Sequence, residues 1–146
     1  MKNDPGLPAT ILLVDDNTHG LMARGMILRE MGHTVFTAQS AEEGWEIFRA
    51  HAFDLVVTDF RMGQMNGLEL IRLIRASGSP ARVILLTGFV NCLGVSEADT
   101  GADEVIAKSN KEVQELLRAV RRLAHAPPRR KPGSVRKSSA AKSGRA

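Results

Sequence analysis

Apolar residues fall in short runs along this chain. Ile11, Leu12, Leu13 and Val14 form the first, and further runs follow at 34–38, 55–58, 83–86 and 105–107. An unbroken apolar run bounded by polar residues suits a strand covered on both faces. Between the runs the spacing changes to that of helices. Residues 18–31 form the first such segment. Residues 41–50 form the second, opened by Ser40 with Glu43 three positions on, a capping-box pattern. Residues 67–76 form the third, with Leu68, Ile71 and Ile74 near helical spacing. Residues 110–124 form the last, where Val113, Leu116, Leu117, Val120 and Leu123 make an apolar stripe and Ser109 with Glu112 repeats the capping-box pattern. The segment 91–100, NCLGVSEADT, should complete the alternation, but Gly94 and sparse apolar anchors make it a short or frayed helix.

Five β-α units in this order predict an α/β fold: a doubly wound parallel sheet with helices on both faces. Ligands of such sheets sit beyond the C-terminal strand ends. The residues that follow the strands are therefore the candidates for chemistry. They are Asp15 and Asp16 after the first strand, Asp59 at the end of the third, Thr87 at the end of the fourth and Lys108 after the fifth. Three close carboxylates repel one another unless a cation sits among them. Oxygen-only donors favour a hard ion such as Mg²⁺. A hydroxyl and an ammonium are natural partners of a phosphoryl group, and an aspartate can act as a nucleophile that forms an aspartyl phosphate.

Four stretches carry a resemblance: VDD at 14–16, TDFRM-x-x-M-x-G at 58–67, LTG at 86–88 and GADE-x-x-x-K at 101–108. In that order and at strand ends, they resemble the receiver domain of two-component response regulators, over about residues 9–124. The resemblance implies a flavodoxin-like sheet of order 2-1-3-4-5. It implies that Asp59 takes a phosphoryl group from a sensor histidine kinase or a histidine phosphotransfer protein. Asp15, Asp16, Asp59 and the backbone carbonyl of Arg61 would hold Mg²⁺. Thr87 would hydrogen-bond the phosphoryl group and Lys108 would pair with it. Phosphorylation would then shift the region after the fourth strand and alter a surface for a downstream protein, a local charge change biasing a two-state element. Three positions depart from the usual pattern: Gly63 and Ser109 stand where proline is common, and Val105 where an aromatic is common.

Charge divides the chain. Of its 20 Lys and Arg, seven lie in residues 126–146, which hold no acid, so residues 1–125 carry 13 basic against 16 acidic groups, a net of −3. Expected divisions are an N-terminal extension at 1–8, a receiver domain at 9–125 and a basic disordered tail at 126–146. The tail has one large apolar residue, Val135, and cannot bury enough to order itself. Its composition suits a solubilising end, or weak contact with nucleic acid or an acidic partner. No length remains after residue 125 for a folded output domain, so a stand-alone protein acting by contact is expected.

A single cysteine, Cys92, excludes an intramolecular disulfide and suits the cytoplasm. No apolar run reaches the roughly 20 residues that span a bilayer. No His/Cys set has zinc spacing. His33 and His51 are expected at the surface, Trp45 in helix-face packing and Phe89 in packing. An aspartyl-phosphate phosphatase would need a second acid two residues after its nucleophile, where Arg61 stands, so a signalling protein rather than an enzyme is expected. Gly63, Val105 and Ser109 keep one alternative open, a receiver-fold binding module whose output does not depend on phosphate.

Overall fold

The computed structural model describes residues 8–88 and 100–124. The apolar runs are strands and the periodic segments helices. The order is β1 (Thr10–Val14), α1 (Thr18–Glu30), β2 (Thr34–Ala38), α2 (Ala41–Ala50), β3 (Leu55–Asp59), α3 (Gly67–Ala76), β4 (Arg82–Thr87), β5 (Glu104–Ala107) and α4 (Glu112–Ala124). All five strands pair in parallel in the order β2-β1-β3-β4-β5. Residues 1–7, residues 89–99 with Phe89 and Cys92, and residues 125–146 with the tail lie outside the described residues. Among the described residues, no helix is long and apolar enough to cross a membrane.

Strand alternation explains the two cores. Ile11 and Leu13 face one way with Val57, Ile84 and Leu86, and pack against Leu21 and Leu28 of α1 and Leu116 and Val120 of α4. Leu12 and Val14 face the other way with Val56, Val83 and Leu85, and meet Phe48 of α2 and Leu70, Ile71 and Ile74 of α3. Both faces are thus buried, which is why the strands read as continuous apolar runs. Trp45 stacks on Phe48 at 5.9 Å between ring centres, with Arg49 over its outer face. His33 corrects an expectation. It is buried, and its Nδ1 accepts the Ala9 amide at 3.0 Å. His51 is exposed but lies against Phe36.

The helix starts were partly legible. Ser40 accepts the Glu43 amide at 3.0 Å, while the Glu43 carboxylate reaches Gln39 rather than Ser40. The Ser109–Glu112 box does not form. Ser109 Oγ accepts the Lys111 amide instead, so a turn occupies the positions expected to open the helix, and α4 begins at Glu112. A full capping box closes at α3, where Asn66 Oδ1 accepts the Glu69 amide and Glu69 Oε1 accepts the Asn66 amide. Replacing Asn66 with alanine is expected to cost about 1 kcal/mol. The measurement is a lower urea midpoint at unchanged slope.

The approach to β5 is fixed by Arg75 of α3. Its guanidinium donates to the carbonyls of Gly101 (3.0 Å) and Ala81 (2.7 Å) and to Asp103 Oδ2 (2.9 Å). Asp103 also pairs with Arg82 and accepts the Val83 amide. A half-buried acid so fully occupied resists movement, and it sets where β5 enters beside β4.

Candidate functional site

Parallel register brings the strand ends level. Val14 lies opposite Ala38 and Thr58, Asp59 opposite Leu86, and Thr87 opposite Ala107. Asp15, Asp59, Thr87 and Lys108 therefore emerge at one edge of the sheet. Asp15 (3% exposed), Asp59 (5%) and Thr87 (1%) are buried there, and Asp16 is exposed beside them. Asp15, Asp16 and Asp59 each offer a carboxylate oxygen, and these oxygens lie within 4.8 Å of one another. Lys108 Nζ sits 2.6 Å from Asp59 Oδ1, and its backbone amide donates to the Thr87 carbonyl at 2.9 Å. Arg61 lines an open cleft of about 520 Å³ with Asp16, Phe60, Met62, Gly63 and Asn66, its side chain exposed.

The loop after Asp59 is held on two sides. The Phe60 amide donates to the Leu86 carbonyl at 2.9 Å, and the Gly67 amide donates to the Phe60 carbonyl at 2.9 Å. Helix α3 thereby begins directly against the end of β3. A Cβ at Gly67 would lie 2.2 Å from the Asp59 carbonyl oxygen, so only glycine fits this approach.

Electrostatics set Asp59 apart. Burial raises its pKa above the ordinary carboxylate value, Lys108 pulls it back through a hydrogen bond and its charge, and Asp15 pushes it up again. The net shift is upward, and burial is its largest cause. The donor set is all oxygen and close enough to share one cation. A hard divalent ion fits these residues.

Two further residues belong to the site, and no motif marks them for it. Arg24 of α1 donates to Asp15 Oδ2 at 2.7 Å, and its other nitrogens pair with Glu112 in the first turn of α4. A signal was present. Arg24 falls three residues after Leu21 and four before Leu28, on the stripe that α1 buries. A charge on an apolar face needs a partner, but the two partners are nine and 88 positions away.

Comparison with known proteins agrees with this geometry. Residues 11–121 match the family model of the response regulator receiver domain. The gliding motility regulatory protein of Myxococcus xanthus is 31% identical over 116 residues, covering 77% of this chain and 15% of that protein. The transcriptional regulatory protein GlrR of Escherichia coli is 39% identical over 80 residues, covering 55% of this chain and 18% of that one. This chain thus spans under a fifth of each of these two relatives. Among solved structures, the response regulator TrrA of Thermotoga maritima, in complex with Mg²⁺ and BeF, superposes with a TM-score of 0.69 at 33% identity, covering 78% of this chain and 97% of that one. With a family match over most of its length and the acid cluster at the expected sheet edge, the chain belongs to the response regulator receiver domain family.

Proposed function

We propose that the chain is a phosphorylation-controlled switch in two-component signalling, with Asp59 as phosphoacceptor. The observation that carries this reading is the meeting of Asp59 with two further carboxylates and the Lys108 ammonium at one sheet edge. The donor would be a phosphohistidine on a sensor histidine kinase or a histidine phosphotransfer protein. An Asp59 carboxylate oxygen forms the new bond to phosphorus, and the bond from phosphorus to the imidazole nitrogen breaks. The electron pair leaves with that nitrogen, which is protonated. This unit would run over residues 9–125, between the extension 1–8 and the basic segment 126–146, and would work in the cytoplasm.

Each residue has a part. Asp15, Asp16 and Asp59, with the Arg61 carbonyl, would hold Mg²⁺. That ion would offset the charge of the incoming phosphoryl oxygens. Lys108 now pairs with Asp59 and is one-third exposed, so its flexible stem can move to a phosphoryl oxygen. Thr87, at the neighbouring strand end, supplies a hydroxyl for another. The moved Lys108 and Thr87 alter the ends of β4 and β5, and a downstream protein would read that change.

Incubation of the full chain with acetyl phosphate and Mg²⁺, followed by intact mass measurement, tests the reading. One added phosphoryl mass is expected on the wild type and none on Asp59→Ala. Equal labelling of the two, or no labelling of the wild type, would leave the phosphate-independent binding module in its place.

A further inference from the structure

Asp15 does not face the site as an uncommitted acid. Its Oδ2 accepts from Arg24 at 2.7 Å and its Oδ1 accepts the Asn17 amide at 2.9 Å. Arg24 in turn is shared. One terminal nitrogen goes to Asp15, while Nε and the other terminal nitrogen go to Glu112 Oε2. The three side chains are 4–12% exposed, so solvent screens them little. Burial alone would lower the guanidinium pKa, but Glu112 and then Asp15 raise it above its ordinary value. A permanent positive charge therefore stands behind one of the three clustered acids, divided between that acid and the first turn of α4.

We infer that Arg24 is a positioning residue that weakens divalent-cation binding at the Asp15–Asp16–Asp59 cluster, and that Glu112 limits this effect by drawing the guanidinium toward α4. The inference rests on the cation-binding reading above and adds the residues that tune it. Asp59 already has Lys108, and Asp15 has Arg24, so two of the three acids carry a protein cation. A dication entering the cluster meets both. Removing Arg24 removes one unit of repulsion. Removing Glu112 leaves Asp15 as the remaining acid on Arg24 and strengthens that repulsion. Glu112 sits in the first turn of α4, where a carboxylate is favoured by the helix N-terminus. Any pull of the cation on Asp15 is thus felt at that turn, through one guanidinium. The chain that begins at Lys108 and ends in α4 is tied to the acid cluster from both ends.

The test is calorimetric titration of Mg²⁺ into the metal-free full chain, for wild type, R24Q, R24K, E112Q and R24Q/E112Q. R24Q should bind about tenfold more tightly, the size expected from one unit charge a few ångströms from a dication in a polar setting. A merely structural role would give the opposite sign, because a damaged site binds more weakly. R24K keeps the charge and should stay within about threefold of wild type. E112Q should bind several-fold more weakly, and that loss should fall below about twofold in the R24Q background, since its route is Arg24. Unchanged or weaker binding by R24Q, or the same E112Q loss in both backgrounds, overturns the inference. Should R24Q fail to fold by circular dichroism, E112Q decides: weaker binding supports the inference, and unchanged binding overturns it. Mg²⁺ binding by no variant would sink the cation-binding reading itself, and the inference with it.

Discussion

Gly67→Ala should destabilise the protein by about 3 kcal/mol, the upper part of the usual range for forcing an extra carbon into a packed place. Helix propensity alone predicts the reverse, since alanine is favoured over glycine in a helix by about 1 kcal/mol. The contact decides the sign. The new Cβ would lie 2.2 Å from the Asp59 carbonyl oxygen and 3.2 Å from Leu85 Cδ1, and the nearer atom is backbone that no rotamer change can move. Either α3 lifts away from β3 or the end of β3 shifts. Lifting breaks the bond from the Gly67 amide to the Phe60 carbonyl, and a shift re-aims Asp59. Labelling by acetyl phosphate should slow as well as stability fall. Gly63→Ala is the control in the same loop, with no atom within 4 Å of its Cβ, and should lie within about 0.5 kcal/mol of wild type. Urea unfolding of the two variants measures both effects; a Gly67→Ala protein as stable as Gly63→Ala would show that the close approach is not obligatory.

The contrast between these glycines also marks where the sequence was readable. Strands β1, β3 and β4 were legible because both of their faces are buried, so no polar alternation interrupts the apolar run. The strand-end places of Asp15, Asp59, Thr87 and Lys108 are legible because the sheet is parallel, and each strand end is then a fixed place. Helix α1 is less clearly marked. Met22 and Met26 are 60% and 59% exposed, while Arg24 sits on the buried side. Its partners, Asp15 and Glu112, lie nine and 88 positions away. No local window joins them. The same holds for Arg75, which binds Gly101 and Asp103 across 26 and 28 positions. The burial of His33 is not legible locally, because its hydrogen bond goes to Ala9, before β1, and forms only once β2 lies beside that strand. Ser109 and Glu112 show the converse error. The local pattern for a capping box is present, but the half-buried Arg24 offers Glu112 a stronger partner than a backbone amide.

Asp59→Asn should do two opposite things: abolish labelling by acetyl phosphate and raise the melting temperature of the metal-free protein at neutral pH by a few degrees. The first follows from the nucleophile, since an amide has no carboxylate oxygen to form the bond. The second follows from the raised pKa of Asp59, whose largest cause is burial. Above the ordinary carboxylate value, 3.8, the unfolded chain has lost the proton that the folded state still favours. Folded protein then binds more protons than unfolded, so stability falls as pH rises through the window between 3.8 and the higher folded value. Below that window both states are protonated and the penalty is absent; above it the penalty is complete. Asparagine does not titrate, so the gain of Asp59→Asn over wild type should be largest at neutral pH and vanish in acid. The lost Lys108 pair subtracts little, because that ammonium is one-third exposed and can turn to water. Mg²⁺ should reverse the order by stabilising wild type through binding, while the variant, with one carboxylate fewer, responds less. Thermal unfolding of both proteins in EDTA and in Mg²⁺, across the acid range, gives the four curves. Lower stability of Asp59→Asn in EDTA at neutral pH would mean that the ion pair with Lys108 outweighs burial, and that Asp59 is held for the fold rather than against it.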